Sequence, residues 1–135
     1  LILKPITYDV FRYMKAKQYK YGYNKIMGEN HKCIKGLWDT TRKFIKKTGI
    51  NPKWFHKWRE PFTYYNNFEI MSTEFCFSRS YKDYVDFVDH AGGIYYHRWG
   101  DHVIRSIAVS LFLHQNETHK FDDLGYCHQY FVYLG

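Results

Sequence analysis

Residues 77–113 read FSRSYKDYVDFVDHAGGIYYHRWGDHVIRSIAVSLFL, which predicts two helices separated by a glycine-rich turn. Ser80 and Asp83 fit a capping box at the start of the first helix, and the glycine pair at 92–93 predicts its end. Asp101 can cap the second helix. The apolar residues predicted to face the core are Tyr84, Phe87 and Val88 in the first helix and Ile104, Ile107, Ala108 and Leu111 in the second.

Two more helices are predicted upstream of this stretch. Thr7 can cap one that must end before Gly22, and the other fits residues 37–48 with Gly49 as its C-terminal stop. Their predicted core positions are Val10, Phe11 and Met14 in the first and Trp38, Phe44 and Ile45 in the second. Each helix is therefore expected to bury one face.

Short strands are predicted between these helices. In residues 67–70 polar and apolar side chains alternate, as in a half-buried strand, so Glu69 is predicted to point away from the core. Further strands fit residues 19–26 and 118–121, and a turn fits residues 122–125. Helices that alternate with short strands predict an α/β fold.

The composition is that of one compact globular unit. The chain has 135 residues, of which 45% are hydrophobic, 24% charged and 21% aromatic, and aromatic side chains supply the large buried areas that a core of this size needs. Its longest apolar run, residues 107–113, is interrupted by a serine and is far below the ~20 residues that span a bilayer. A single domain without a membrane span is therefore predicted over residues 1–135.

Charge is distributed unevenly along the chain. Residues 1–60 carry 15 Lys and Arg against 4 Asp and Glu, whereas residues 61–135 carry 5 against 9. A basic front half with interleaved Tyr and Trp can attract the phosphates of nucleic acid or of a nucleotide-sugar. The alternative is a solvated, lysine-covered face. A non-catalytic module that binds nucleic acid or another polyanion is therefore one candidate function.

A set of ordered motifs carries a more specific indication. The segments NNFEI, residues 77–113 and HKFDDLGYCH strongly resemble, in the same order, the fungal Golgi α-1,2-mannosyltransferases of glycosyltransferase family 15. Near the N-terminus, ITYDVFRYM and YGYNKI are also similar to this family. The resemblance covers nearly the whole chain, and the ordered set is far more specific than any single motif.

The resemblance implies both a fold and an activity. The fold would be the C-terminal portion of a GT-A type catalytic domain, with a mixed sheet and flanking helices. The activity would be retaining transfer of mannose from GDP-mannose, aided by Mn²⁺, to a mannosyl acceptor on a glycan or glycoprotein, in protein glycosylation or cell-wall mannan synthesis. The location would be the Golgi lumen, with a type II membrane anchor N-terminal to these residues, and nucleic acid would not be a partner.

Three residues match functional positions of the family. Glu69 matches a glutamate that faces the anomeric carbon, where a carboxylate can form a glycosyl intermediate or stabilise an oxocarbenium-like transition state. Asp101 matches the aspartate of RWGD, expected to hydrogen-bond a sugar hydroxyl, and His128 matches a metal-binding histidine that suits Mn²⁺. From the residues alone, a solvated strand residue, a helix cap and a surface-loop histidine are the respective alternatives.

Further substrate contacts are assigned to the turn before the long helix and to a tyrosine before the NNFEI strand. Trp99 and Tyr65 would offer aromatic faces to sugar rings, although core packing fits the sequence equally well. Arg98 is assigned to substrate with them. Asp122 and Asp123 are adjacent and fit a turn better than a metal-binding pair.

The sequence departs from the family pattern in several places. It opens as LILKPITYDVF, without the Glu-Pro-Asp metal motif that the family has just upstream of its YDVFR helix. We therefore expect half of the donor site, the nucleotide-binding strands and the anchor to be absent from these residues. His97 replaces an acidic residue before RWGD, and HVIRS at residues 102–106 replaces an APVHS-like helix start. A diverged or inactive copy is consistent with these differences.

Overall fold

The computed structural model describes residues 1–128 and 131–133. Its helices are α1 (Val10–Ala16), α2 (Leu37–Thr48), α3 (Thr73–Cys76), α4 (Arg79–His90), α5 (Gly93–His97) and α6 (Asp101–Phe112). Its strands are β1 (Tyr21–Tyr23), β2 (Ile26–Gly28), β3 (Phe62–Tyr64), β4 (Glu69–Met71), β5 (Thr118–Lys120), β6 (Tyr126–His128) and β7 (Phe131–Tyr133). Turns of 3-10 helix lie at His31–Cys33, Phe55–Lys57 and Gln115–Glu117.

A three-stranded mixed sheet with the order β4-β1-β5 supports the candidate site. The central strand β1 pairs antiparallel with β4, where Tyr23 is opposite Glu69, and parallel with β5, where Tyr23 is opposite Lys120. The strand predicted over residues 19–26 is in fact two strands, because β2 pairs with β3 in a separate ladder. The predicted α/β class, a mixed sheet with flanking helices, is confirmed.

The two faces of this sheet are buried against different clusters. On one face, Tyr21 belongs to the main core, which includes residues of α2, α4 and α6. On the other face, Gly22 lies against Met14 of α1 in a second cluster. Ile70 packs against this second cluster whereas Met71 packs against the main core, so strand β4 is covered on both sides.

Helix α2 matches its prediction at both ends. It ends at Thr48 and is capped by Gly49, whose φ of 69° is the left-handed conformation that glycine adopts without a Cβ penalty. Its buried residues are Leu37, Trp38, Thr41 and Phe44, with Ile45 partly buried beside them. The stripe predicted for α6 is also confirmed, since Ile104, Ile107, Ala108 and Leu111 are buried. None of the helices within residues 1–128 and 131–133 is both long enough and apolar enough to cross a membrane.

Three predicted N-caps are wrong by one or two residues. The caps of α1, α4 and α6 are Asp9, Ser78 and Gly100 in place of Thr7, Ser80 and Asp101. Several candidate capping residues stand close together in each case, and the cap is the one that takes the extended backbone preceding the first helical turn. Phe11, predicted to be in the core, is 69% exposed, because the short helix α1 turns only Val10 and Met14, four residues apart, toward the sheet.

His119 is enclosed by aromatic rings on the α1 side of the sheet. Its imidazole stacks on Tyr19 and meets the edge of the Phe121 ring, each with 4.7 Å between ring centroids. Removal from water lowers the pKa of His119 below its usual 6.5, against the opposing influence of Asp123 and Asp122.

We expect this histidine to make the stability of the chain sensitive to acid. Because the folded state binds the proton less tightly than the unfolded chain, the free energy of unfolding should fall as the pH drops below about 6.5. His119→Phe should reduce this loss, measured by urea denaturation at pH values of about 7.5 and about 5.5. His56→Gln, on an exposed turn, should leave the loss unchanged. An unaltered loss in His119→Phe would contradict the prediction.

Candidate functional site

Glu69 lies at the start of β4, next to helix α6. Its Oε1 forms an ion pair with Nη1 of Arg105, and its Oε2 accepts a hydrogen bond of 2.7 Å from the Tyr21 hydroxyl. The side chain is only 15% exposed. The alternation correctly separated Glu69 from Phe68 and Ile70, but the prediction that it points away from the core is wrong, because α6 covers its face of the sheet.

Asp101 is the first residue of α6 and lies one turn before Arg105. Its Oδ2 accepts a hydrogen bond of 2.9 Å from Nη2 of Arg105, and its Oδ1 accepts one of 3.4 Å from the Asn66 amide. The side chain is 65% exposed. Because Gly100 is the N-cap, the helix-cap role considered for Asp101 is wrong.

Arg105 therefore joins the two carboxylates, with one nitrogen on Glu69 and the other on Asp101. Sequence reasoning missed Arg105, although four residues after Asp101 is the spacing at which opposite charges meet on a helix. It also missed Tyr21, whose hydroxyl contacts Glu69 from a strand 48 residues earlier in the chain. No local pattern reports a contact between strands so far apart.

His102 extends this polar cluster toward the segment after β2. Its Nε2 lies 2.6 Å from Oε2 of Glu29, and its Nδ1 lies 3.7 Å from Oδ1 of Asp101. Both His102 and Glu29 are largely buried, at 20% and 22% exposure. The N-terminal end of α6 thus gathers a histidine and an arginine around one exposed carboxylate.

Tyr65 and His128 are in contact with each other. Their ring centroids are 6.5 Å apart, with the planes at 62°. Tyr65 precedes Asn66, whose amide contacts Asp101. The structure therefore brings Glu69 and Asp101 together through Arg105, and it places His128 beside Tyr65 rather than in contact with either carboxylate.

Trp99 and Arg98 form the turn before α6 and have opposite environments. Trp99 is 5% exposed, its Nε1 donates a hydrogen bond of 2.9 Å to the Lys35 carbonyl, and its ring packs against Gly93. The prediction that Trp99 offers a face to a sugar is therefore wrong, because the ring is enclosed in the core. Arg98 is exposed and has a φ of 57° at the end of α5, and its assignment to substrate stays a prediction.

Metal ligands are sparse around His128. Residues 1–128 and 131–133 contain no group of three or more His, Cys, Asp and Glu side chains that could hold a metal ion, so these residues do not complete a Mn²⁺ site. Asp122 pairs with Lys120 at 2.5 Å, and Asp123 accepts a hydrogen bond of 2.8 Å from the Tyr8 hydroxyl. These contacts support a structural role in the turn for both aspartates.

Curated relatives of the chain are fungal mannosyltransferases. Probable mannosyltransferase KTR3 of Saccharomyces cerevisiae is 42% identical over 94% of this chain and 34% of its own length. Glycolipid 2-alpha-mannosyltransferase 2 of Candida albicans is 38% identical over 94% of this chain and 30% of its own length. The chain therefore spans about a third of the length of the curated relatives it matches.

Solved structures and a family model agree with these relatives. The mannosyltransferase Ktr4p from S. cerevisiae is similar with a TM-score of 0.89 and 29% identity, over 98% of this chain and 39% of that one. Core-mannan synthase A from Aspergillus fumigatus, in a Mn/GDP form, is similar with a TM-score of 0.91 and 28% identity. The match covers 97% of this chain and 40% of that one. The model of the family described as glycolipid 2-alpha-mannosyltransferase matches residues 2–133. Because the match covers nearly the whole chain and the fold agrees, this chain belongs to that mannosyltransferase family.

Proposed function

We propose that this chain is part of a retaining α-1,2-mannosyltransferase that transfers mannose from GDP-mannose to a mannosyl acceptor. Family membership supports the reaction, and the relative solved in a Mn/GDP form supports a GDP-linked donor. The observation that carries the proposal is the cluster of Glu69, Arg105 and Asp101. One arginine holds together two carboxylates that the resemblance assigns to sugar contacts.

Glu69 would face the anomeric carbon of the donor mannose. As the bond to GDP breaks, positive charge develops at that carbon, and a fixed carboxylate either stabilises the charge or bonds to the carbon before the acceptor hydroxyl attacks. Asp101, exposed and close by, would accept a hydrogen bond from a sugar hydroxyl and orient that sugar. Arg98 and Tyr65 would add contacts to substrate.

Mn²⁺, where bound, would neutralise the charge that accumulates on the departing diphosphate. His128 would supply one nitrogen ligand, and the remaining ligands would come from outside the residues described here. The resemblance places a Glu-Pro-Asp motif among them.

His128→Ala is expected to weaken Mn²⁺ binding by more than about 10-fold, because it removes a ligand nitrogen, and loss of a group that only orients a ligand already costs about 10- to 100-fold. The measurement is a Mn²⁺ titration of the full-length protein, followed by electron paramagnetic resonance of free Mn²⁺ and by transfer activity. His97→Ala, at the last residue of α5, is the matched control. A Mn²⁺ affinity that is the same in both variants would contradict the assignment.

The context of the reaction follows the family. Residues 1–135 would form a single partial catalytic domain, the C-terminal portion of a GT-A domain, acting in the Golgi lumen on glycans of protein glycosylation or cell-wall mannan. The nucleotide-binding strands and a type II membrane anchor would be supplied by sequence outside these residues. Family membership favours this reaction over the basic module for nucleic acid or another polyanion.

Mannosyl transfer by the full-length protein that contains these residues tests the proposal. With GDP-mannose, Mn²⁺ and α-methyl mannoside, we expect a product with a new α-1,2 linkage, identified by nuclear magnetic resonance of its anomeric protons. GDP-glucose is the control donor and should react poorly. No mannoside product with any mannosyl acceptor would contradict the proposal, and nucleic-acid binding that falls steeply with salt would favour the basic module.

A further inference from the structure

Both oxygens of the Glu69 carboxylate are engaged by the protein. Arg105 holds Oε1 from helix α6, and Tyr21 donates to Oε2 from the central strand β1 at 2.7 Å. These two contacts come from two different elements, a helix and a strand. A carboxylate with both oxygens bound to the protein is held in one orientation before substrate binds.

We propose that Tyr21 and Arg105 are positioning residues that hold Glu69 for mannosyl transfer. This inference rests on the proposed function and assigns roles to two residues that the family resemblance did not identify. Neither is required to touch the sugar, because each acts through the Glu69 carboxylate. Their contribution is to fix a negative charge where positive charge develops, so that no reorganisation is needed during the reaction.

The Tyr21 side chain is held in place by the packing around it. It is 1% exposed. The centroid of its ring lies 4.9 Å from that of the Tyr64 ring and 6.5 Å from that of the Tyr23 ring. Burial also raises the pKa of Tyr21 well above its ordinary value, so the phenol keeps its proton and remains a hydrogen-bond donor to Glu69.

Arg105 fixes Glu69 relative to Asp101. Its two terminal nitrogens contact one carboxylate each, and its side chain is 19% exposed. A planar guanidinium can bridge two acceptors in a set geometry, whereas a lysine ammonium is a single point charge. Arg105 therefore couples the position expected to face the donor to the position expected to orient a sugar.

Steady-state kinetics of the full-length protein tests these roles. We expect Tyr21→Phe to lower kcat by about 10-fold and Arg105→Ala by about 100-fold, with both KM values within about two-fold of the wild type, because ground-state binding does not depend on the orientation of Glu69. Arg105→Lys should fall between Arg105→Ala and the wild type, since it keeps the charge and loses the bridge. Added guanidinium ion should restore part of the activity of Arg105→Ala, and an equal concentration of sodium chloride should not.

Two variants control for structural effects. Tyr84→Phe also removes a buried tyrosine hydroxyl, which lies 2.8 Å from Oγ1 of Thr41 in the main core. Arg79→Ala removes an exposed arginine that pairs with Asp83 on the surface of α4. Both should leave kcat unchanged, even where thermal unfolding shows that Tyr84→Phe lowers stability.

The outcomes separate this inference from the proposed function. Loss of transfer in Glu69→Gln with normal kcat in Tyr21→Phe and Arg105→Ala overturns the positioning roles and leaves the function intact. A kcat loss in Arg105→Ala that guanidinium does not restore, and that Tyr84→Phe matches at equal loss of stability, also overturns them. Normal transfer in Glu69→Gln overturns the site itself. If Arg105→Ala does not fold, Tyr21→Phe and Arg105→Lys decide the result.

Discussion

Glu69→Gln should lower the kcat of mannosyl transfer by about 100- to 1,000-fold in the full-length protein, as expected when a fixed group facing developing charge is removed. Glutamine keeps the size of glutamate, and its amide oxygen can accept from Arg105 while its amide nitrogen donates to the Tyr21 hydroxyl, so the fold should survive. What it loses is the negative charge opposite the anomeric carbon. The measurement is kcat at saturating GDP-mannose, with thermal unfolding of each variant as the check on folding.

Glu74→Gln provides the matched control, since Glu74 is an exposed glutamate on the neighbouring helix α3. It should leave kcat unchanged. If Glu69→Gln transfers mannose at the wild-type rate, Glu69 is not the group facing the anomeric carbon, and its ion pair with Arg105 is purely structural.

Trp99→Ala should destabilise the chain by about 3–5 kcal/mol, the range for removing a large buried aromatic side chain. Trp99 is 5% exposed and anchored by its bond to the Lys35 carbonyl. The fit around it is tight, because a Cβ added at Gly93 would lie 2.2 Å from the indole. The measurement is the free energy of unfolding from urea denaturation at neutral pH.

Tyr96→Ala distinguishes core packing from a general effect of aromatic residues in this segment. Tyr96 lies on α5 and is 83% exposed, so its removal should change stability by less than about 0.5 kcal/mol. A small change in Trp99→Ala, combined with a raised KM for the acceptor, would instead return Trp99 to the sugar-binding role that its burial contradicts.

Much of the fold could be predicted because its signals are local. The period of α2, its glycine stop and the stripe of α6 all depend on residues within a few turns of one another, and the structure confirms them. The N-caps were displaced because several residues of types that favour the N-cap position, glycine included, lie within three residues of each other. The break between β1 and β2 was missed because it depends on which distant strand each one pairs with.

The candidate site divides in the same way. The positions of Glu69 and Asp101 followed from ordered motifs, yet the burial of Glu69 could not be predicted, because helix α6, which covers it, comes about 30 residues later. Trp99 was predicted to contact a sugar but is buried. The sequence alone does not distinguish an aromatic ring that faces a ligand from one that packs in the core. Only the packing against Gly93 distinguishes the two.

The parallel pairing of β1 with β5 joins residue 21 to residue 118, and this has a consequence for synthesis on the ribosome. The nascent chain emerges from its N-terminus, so β1 cannot pair with β5 until the residues between them have been translated. Tyr21 and Arg105, which contact Glu69, are both synthesised before β5, and the pairing of β1 with β5 follows. Until β5 has been synthesised, the side of β1 that pairs with it is an open edge that can pair with other chains. We expect chaperone binding to matter most at this stage.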